Sequence, residues 1–471
     1  MTGRHEVFER LWQEAGLGAD DRAGEVTMRG DDPVVPSKHR LGTASAIGLA
    51  LHGASTAAVW KARSGKGQDV SVDVALAAVP GLQTINFTRI GPHPMTVGQI
   101  VDEEVNFFPT RDDRRIFLWR LPIYPHLTRR LLRELDCSIL PSSIARAVAQ
   151  RDGEELEDAI ARAGAIAAVC RRADEWRVHP QGAWLQSRPV IDVVKTGESD
   201  PVPLTASPAR PLSGVRVLDC THVIAGPTTS ALLAGDGADV LRITKPWADE
   251  HPALTLGTGM GKRNAVLDYD REDDAETLRE LARTGDVLVQ SWRPGSLDAK
   301  GLGAEQLAEA APGLIYVSVS CYGSEGPWAG RRGFEQLGQT ACGLAGEEGT
   351  PEKPRLASTG TLNDYLVAYF AASGVKAALL RRAREGGSYH VRVSLARSSM
   401  FVQELGPLDA AQQAEAPDKL PMPPASAFYQ MDSMYGRLTL ARPPVELSTT
   451  PAHWDLPPVV PGFHQPVWLE R

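Results

Sequence analysis

Cysteine is scarce in this 471-residue sequence, and its five copies are widely separated, with no CxxC pair among them. An odd, scattered set excludes a complete disulfide framework and lacks the spacing of a zinc site. We therefore expect no metal, and free thiols in a reducing compartment, the cytoplasm. The cysteines are Cys137, Cys170, Cys220, Cys321 and Cys342.

Long apolar runs and an excess of basic residues are also missing. No stretch approaches the roughly 18 uncharged apolar residues of a membrane span, so none is predicted. The formal net charge of −8 argues against a general nucleic-acid binder, because such a protein needs a basic face to neutralise phosphates. The opening residues, MTGRHEVFERLWQEAGL, have charges throughout and predict an amphipathic helix rather than a signal peptide.

Glycine- and proline-rich stretches divide the chain. Hydrophobic residues make up 42% and charged residues 23%, which is typical of globular proteins, and the length allows two or three domains. Residues 18–40 predict a connector, and the proline-rich residues 196–212 predict a domain boundary. The tail after Leu405 is proline-rich with few periodic segments, so we expect it to wrap over the other parts. The predicted segments are 1–40, 41–205, 206–400 and 401–471.

The two central segments differ in periodicity. Residues 41–61 are Ala-rich and nearly uncharged, which predicts a buried helix, and residues 70–74 alternate as in a strand. Residues 106–119 predict a hairpin that turns at residues 112–113, and residues 125–177 predict two or three helices. After residue 206, short β-branched runs alternate with helical stretches, which indicates a parallel sheet with right-handed crossovers. The strand runs are 215–219, 238–243, 286–291 and 314–320.

The sequence repeats itself at an offset of 321 residues. Each copy has a helix of small residues, then a glycine turn and a strand, with identical glycine spacing. This spacing indicates a repeated unit, although Ala-rich helices can also resemble each other by chance. The matched pairs are Gly53 with Gly374, Ala57 with Ala378, Ala62 with Ala383, Arg63 with Arg384, Gly65 with Gly386, Val70 with Val391, and Val72 with Val393.

Three loops carry polar or basic residues next to predicted strand ends. Residues 219–227 run from a strand into a helix, and residues 259–263 and 291–295 combine glycine turns with Lys or Arg. In open α/β sheets, ligands bind beyond the carboxyl ends of the strands, where N–H groups and cations favour phosphate. No loop here has the GxGxxG pattern, so an NAD site is not indicated. Singly, each loop is also explained by a plain connection or a solvated charge, but together they indicate a nucleotide-like ligand.

Several motifs in fixed order make residues 211–400 resemble the family III CoA-transferases, which include formyl-CoA transferase, carnitine CoA-transferase and 2-methylacyl-CoA racemase. The motifs are PLSGVRVLDCTHVIAGP, GMGKR, SWRPGSLDAKGLG, VSVSCYGSEGP and the helix–turn–strand of residues 364–395. The resemblance implies an α/β fold with a Rossmann-like parallel sheet, flanking helices and a smaller α+β domain. It also implies the interlaced homodimer of the family, although a fused chain could be self-sufficient.

The resemblance further implies the ligands and their binding residues. Coenzyme A or acyl-CoA is expected as a substrate rather than a tightly bound cofactor, and a carboxylic acid is expected as the other small-molecule partner. The predicted CoA-binding residues are His222, Val223, Ile224, Ala225, Lys245, Lys262, Arg263, Ser291, Trp292, Arg293 and Ser296.

Asp364 stands where the family has its nucleophile, at the start of a small-residue helix. A carboxylate can attack an acyl-CoA thioester to form a mixed anhydride, and the CoA thiolate can then return to give an enzyme thioester. The helix start is expected to lower the pKa of Asp364 and keep it ionised. From the residues alone, a helix N-cap is the favoured interpretation of Asp364.

Glu335 matches an acidic position of the transferases and is predicted to be catalytic, with a surface helix glutamate as the alternative. The racemases carry a histidine one place earlier, where this chain has Phe334. A racemase needs a base on each face of the α-carbon, so this difference counts against racemisation.

Residues 41–200 resemble the second half of a family member, so the chain is similar to a long fused form with unequal copies. Thr43 stands where the first copy would need its nucleophile, which implies one competent site. The GxGQ turn of transferases is kept at residues 65–68 but replaced by Gly-Gly-Ser-Tyr at 386–389. The predicted activity is CoA transfer between carboxylic acids. Another acyl-CoA reaction, such as racemisation or a lyase-like step, and a non-catalytic CoA-ester-binding role remain alternatives.

Overall fold

The computed structural model describes residues 3–95, 106–120, 124–246 and 250–470. Helices α1–α17 of these residues are Arg4–Glu14, Leu41–Ser64, Val74–Ala78, Pro125–Glu134, Pro141–Val148, Gly153–Arg162, Ala173–Val178, Pro180–Gln186, Ala225–Gly235, Pro252–Thr258, Glu272–Arg283, Ala304–Ala310, Glu335–Ala341, Leu344–Glu348, Leu362–Glu385, Leu395–Glu404 and Ala410–Glu415. Strands β1–β17 are Val26–Arg29, Val70–Asp73, Arg89–Ile90, His93–Pro94, Phe107–Pro109, Arg115–Leu118, Ala167–Val169, Asp192–Gly197, Arg216–Cys220, Asp239–Thr244, Lys262–Val266, Val287–Gln290, Ile315–Ser320, Ser388–Ser394, Phe428–Ser433, Gly436–Ala441 and Glu446–Leu447.

A seven-stranded sheet in the order β11-β10-β9-β12-β13-β14-β8 forms the centre of the second half. The first six strands are mutually parallel, and β8 pairs antiparallel with β14. Runs such as Val287–Gln290 are buried at every position, as expected for parallel strands covered on both faces. The mixed α/β fold and the four strands predicted from β-branched runs are therefore confirmed.

The basic turn predicted at residues 259–263 needs correction. Strand β11 begins at Lys262, so Lys262 and Arg263 lie inside the sheet, where their side chains are buried. The polar appearance of GMGKR conceals this, because the long side chain of Lys262 reaches the buried Asp219 and that of Arg263 reaches the partly buried Asp239.

Several strands were missed because distant pairing partners define them. Strand β8 overlaps the predicted boundary segment only at residues 196–197, and it completes the sheet edge beside β14. Strands β15 and β16 form a hairpin in the tail, where few periodic segments were expected, and β16 also pairs with β3.

The first half contains two small sheets. The predicted hairpin is present, since β5 pairs antiparallel with β6 across a turn that includes Asp113 at φ +58°. Strand β7 joins β6, and helices α4, α5 and α6 pack on this sheet to enclose a separate apolar cluster. The other sheet has the order β1-β2-β17.

The two units of the predicted repeat have the same helix–turn–strand arrangement. Helices α2 and α15 each have 24 residues, and each ends at a glycine with positive φ, Gly65 and Gly386. Strands β2 and β14 follow, each with a parallel and an antiparallel neighbour. The two long helices pack directly against each other, so the repeated units meet at the core.

In the part of the chain that the structure describes, no helix is both long and apolar enough to cross a bilayer.

Candidate active site

Asp364 lies in the first turn of α15, and its side chain lines a cleft at the carboxyl edge of the seven-stranded sheet. The cleft is bounded by the loop after β9, by Ser291 after β12, and by the end of β13. Asp364 is only 6% exposed. Its carboxylate accepts no hydrogen bond from the residues that the structure describes, so it is free to meet a ligand.

Glu335 caps the helix that carries Asp364. Its Oε2 accepts the backbone N–H of Asn363 at 3.0 Å and that of Asp364 at 3.2 Å. Its Oε1 accepts the side-chain amide of Asn363 at 3.1 Å. The interpretation of Asp364 as an N-cap is therefore wrong, because Glu335 takes the free N–H groups. Glu335 is also buried rather than a surface glutamate.

Both acids hold their protons more tightly than usual. Burial raises the pKa of Asp364 well above its ordinary value, and the charge of Glu335 raises it further. Burial also raises the pKa of Glu335 to about 7, against the opposing hydrogen bonds from Asn363 and Gln339. The expectation that the helix start lowers the pKa of Asp364 is therefore wrong, because the N–H groups serve Glu335 and the cleft walls exclude water.

The predicted binding loops after β9 and β12 come together beside this cleft. The backbone N–H of His222 donates to Ser291 Oγ at 3.1 Å, and the His222 ring stacks on Trp292 at 4.5 Å. Val223 adopts a positive φ of 69° and donates its N–H to Glu250 at 3.2 Å. Ile224 is buried immediately before α9, and Ala225 opens that helix at the cleft.

Lys245 joins the same aromatic group from the end of β10. Its Nζ lies 4.3 Å from the Tyr269 ring centre and 5.5 Å from that of Trp292. It also pairs with Asp270 at 2.7 Å. Cation, aromatic rings and loop backbone thus converge beyond the strand ends.

The remaining predicted binding residues are placed differently. Lys262 Nζ pairs with Asp219 at 2.8 Å beneath the first loop, and Arg263 pairs with Asp239 at 3.1 Å. Both cations form ion pairs with carboxylates of the sheet, and neither side chain lines the cleft. Arg293 and Ser296 form the turn after β12, where the Ser296 N–H donates to the Arg293 carbonyl.

An aromatic stack on the opposite wall was not predicted as part of the site. Phe334 lines the cleft and stacks on Trp119 at 4.3 Å and on Tyr124 at 5.5 Å. Trp119 and Tyr124 belong to the first half of the chain, more than 200 residues away in sequence. Only the tertiary contact reveals them, although the apolar run IFLW marked the hairpin itself.

No cluster of His, Cys, Asp and Glu suited to a metal ion occurs among the described residues. The polar side chains that line the cleft are the carboxylate of Asp364, the imidazole of His222, the hydroxyls of Ser291 and Ser320, and the thiol of Cys321.

Comparison with known proteins identifies relatives that match part of the chain. The chain is similar to the acetyl-coenzyme A transferase nodX of Hypoxylon pulicicidum, at 38% identity over 200 residues, or 40% of this chain and 33% of that protein. It is 32% identical to a probable fatty acyl-CoA transferase, Rv3272 of Mycobacterium tuberculosis, over 41% of this chain and 52% of that protein. It is 30% identical to succinyl-CoA:glutarate CoA-transferase of Mus musculus, over 41% of this chain and 47% of that protein.

The chain thus spans between a third and about half of the length of these relatives. A crystal structure of Rv3272 matches with a TM-score of 0.39 and 30% identity, covering 42% of this chain and 58% of that one. Residues 212–441 match the family model CoA-transferase family III. This segment contains Asp364, Glu335 and the predicted binding loops, so the resemblance of the chain to the family III CoA-transferases is confirmed.

Proposed function

We propose that this protein is an enzyme that transfers CoA from an acyl-CoA donor to a carboxylic acid acceptor, with Asp364 as nucleophile. The observation that carries the proposal is the position of Asp364. It is a buried carboxylate without a hydrogen-bonding partner among the described residues, in a cleft lined by His222 and Ser291. A nucleophile needs a free carboxylate and an adjacent place for the thioester, and this cleft supplies both.

The reaction begins with attack of an Asp364 oxygen on the thioester carbonyl carbon. The C–S bond breaks, CoA leaves as thiolate, and an acyl-aspartyl anhydride forms. The thiolate then attacks the aspartyl carbonyl, which releases the donor as a free carboxylate and leaves an aspartyl-CoA thioester. The acceptor carboxylate then attacks the aspartyl-CoA thioester, which releases CoA thiolate and forms an anhydride between the acceptor and Asp364. The thiolate attacks the acceptor carbonyl of this anhydride, so acceptor-CoA departs and the Asp364 carboxylate is regenerated.

Glu335 acts as a positioning residue in this scheme. It orients the start of α15 through the N–H groups of Asn363 and Asp364. Its negative charge makes Asp364 a stronger base, and therefore a stronger nucleophile once ionised. The buried walls around Asp364 protect the anhydride from hydrolysis.

The strand order supports a Rossmann-like CoA-binding half. Numbered within the parallel sheet, strands β9 to β14 follow the order 3-2-1-4-5-6. Ligands of such sheets bind where the strand order reverses, which is between β9 and β12 here. The loops of His222 and Ser291 follow these two strands, which supports CoA binding by the predicted set. Lys262 belongs to this proposal only as a support beneath the first loop, and Arg263, which pairs with Asp239 at the start of β10, does not contact that loop.

Strand exchange supports an interlaced arrangement of the two copies. Strand β8 follows the first copy yet pairs with β14 of the second, and β17 follows the second copy yet pairs with β2 of the first. The segment boundaries 1–40, 41–205, 206–400 and 401–471, a cytoplasmic location and a homodimer complete the proposal. Analytical ultracentrifugation measures the last of these.

Replacement of Asp364 tests the mechanism. Asp364→Asn should abolish CoA transfer, because a neutral amide cannot form the anhydride. The free energy of unfolding should change by no more than about 1 kcal/mol, the value of one hydrogen bond, since the carboxylate accepts none. Mass spectrometry after incubation with acyl-CoA should find the adduct on the parent peptide that contains Asp364.

The matched control is Thr43→Asn at the equivalent position of the first copy, which should label normally. Transfer by Asp364→Asn at the parental rate would refute the mechanism. If no acyl-CoA in a broad panel labels the parent protein, a non-catalytic CoA-ester-binding role becomes the better explanation.

Thermal denaturation tests the CoA site independently of turnover. Free CoA should raise the melting temperature, because a ligand that binds only the folded state stabilises it. Arg293→Glu and Lys245→Glu should each reduce this increase by placing a negative charge beside the phosphates. Arg162→Glu, on an exposed helix end of the first half, is the charge-matched control and should leave the increase unchanged. No increase in the parent at millimolar CoA would contradict the site.

A further inference from the structure

The walls around Asp364 are apolar on the side away from the CoA loops. Val319, Cys321, Phe334 and Leu395 line the cleft there. Phe334 is held in place by the near-parallel Trp119 ring, with an interplanar angle of 12°, and by Tyr124 at 18°. The stacked rings hold the Phe334 side chain in one position. Its ring offers dispersion contacts to an apolar group and no hydrogen bonds.

The described residues that line the cleft supply no cation for a substrate carboxylate. No Lys or Arg is among them. The one imidazole, His222, has its pKa lowered by burial, which favours its neutral form. A distal carboxylate of the acyl group would therefore be buried against the apolar wall without a partner, which is unfavourable.

A group of three arginines near Phe334 does not line the cleft. Arg332 is two residues from Phe334, and its pKa is lowered to about 10 by burial and by the charges of Arg293 and Arg130. None of these three lines the cleft. Their mutual repulsion favours an anion between them, but one outside the space that adjoins Asp364.

From the proposed transferase function, we infer that the acyl group handled at Asp364 is uncharged, and that Phe334, backed by the rings of Trp119 and Tyr124, is the wall that selects it. The substrate class is then the CoA thioesters of neutral, apolar monocarboxylic acids. Thioesters of dicarboxylic acids are disfavoured, because their distal carboxylate meets this apolar wall without a cation to pair with.

Butyryl-CoA and succinyl-CoA provide a matched test, since both acyl chains have four carbons and differ by one terminal carboxylate. The full chain should label at Asp364 with butyryl-CoA at least 10-fold more efficiently than with succinyl-CoA. Calorimetry should give a dissociation constant for butyryl-CoA at least 10-fold lower, a readout that needs no turnover. Equal or better binding and labelling by succinyl-CoA would overturn the inference.

Two substitutions of Phe334 examine the wall itself. Phe334→Arg introduces a cation and should shift the butyryl-to-succinyl ratio toward succinyl-CoA by about 10-fold or more, whereas the uncharged control Phe334→Leu should keep the parental preference. If Phe334→Arg does not fold, Arg332→Gln provides the second test. If the parent protein uses succinyl-CoA and Arg332→Gln abolishes that use, the distal carboxylate binds Arg332 and the inference is refuted.

The two proposals fail separately. If neither thioester labels Asp364, the transferase function fails, while the ratio of dissociation constants still decides whether the site rejects charge. If labelling occurs without preference for butyryl-CoA, the transferase function stands and the acyl selection is wrong.

Discussion

At the scale of single residues, Asp364 and the acid that caps its helix are separate groups, and the first copy has a counterpart only of the cap. The Asp32 carboxylate accepts the N–H of Gly42 at 3.1 Å and that of Thr43 at 2.7 Å. These two residues are the counterparts of Asn363 and Asp364 at the offset of 321. Asp32 therefore serves α2 as Glu335 serves α15. An acidic cap is thus present in both copies, although the position of Asp364 is a threonine in the first copy.

The pH dependence of labelling should report the pairing of the two acids. Only ionised Asp364 is nucleophilic, so labelling should increase with pH through its raised pKa. The charge of Glu335 contributes to that increase in pKa, so Glu335→Gln should lower the pKa of Asp364 and move the rising limb to lower pH. Asp32→Asn, the matched change at the other cap, should leave the limb in place. An unchanged midpoint in Glu335→Gln would show that the two carboxyls do not interact.

At the scale of elements, the two helix–turn–strand units have the same close approach at the same position. A Cβ added to Gly53 would lie 2.6 Å from Cγ1 of Val70, and one added to Gly374 would lie 2.6 Å from Cγ1 of Val391. Glycine at this point lets each long helix approach the strand that follows it. Between the two helices, the buried Lys376 Nζ donates to Thr56 at 2.6 Å, which adds a polar contact to their packing.

Alanine at either glycine should be costly. Gly53→Ala and Gly374→Ala should each lower the free energy of unfolding by about 1–3 kcal/mol, because a methyl group forces the valine and the helix apart. Gly330→Ala, where a Cβ would meet no atom within 4 Å, is the control and should be nearly neutral. Urea denaturation gives all three values. A neutral effect at one glycine and a large one at the other would contradict their equivalence.

At the scale of the whole molecule, a buried cluster joins the start of the first copy to the second. His39 Nδ1 lies 2.7 Å from Glu348, and Nε2 lies 3.1 Å from Glu347. Ser37 Oγ also donates to Glu348 at 2.6 Å. Burial alone would lower the pKa of His39, but its bonds to the two glutamates outweigh burial and raise it to about 9.

Stability should fall in alkaline solution because of this cluster. Because folding raises the pKa of His39, its protonated ring stabilises the fold fully at pH values below the unfolded pKa of 6.5. This stabilisation is lost as the pH rises through about 9. The difference corresponds to about 3 kcal/mol. His39→Gln should remove this decline in the free energy of unfolding between pH 6.5 and 9.5. The exposed His5→Gln is the control, and an identical decline in His39→Gln would contradict the assignment.

Patterns of neighbouring residues in the sequence were enough to predict many helices and strands of this protein and its family resemblance. The β-branched runs, the small-residue helices and the offset of 321 predicted the parallel strands and the repeated units. Asp364 and Glu335 were singled out through the resemblance to the family III CoA-transferases, which rests on motifs along the chain. Such patterns are written in neighbouring residues, so they need no knowledge of distant contacts.

Only the tertiary structure decided the environment of these residues. The cap provided by Glu335 and the burial that raises the pKa of Asp364 depend on α13 packing beside α15. The stack of Trp119 on Phe334 joins residues more than 200 positions apart. Lys262 looked like a surface cation until β11 placed it against Asp219. Burial and charge pairing depend on which segments meet in space, and sequence periodicity carries no record of that choice.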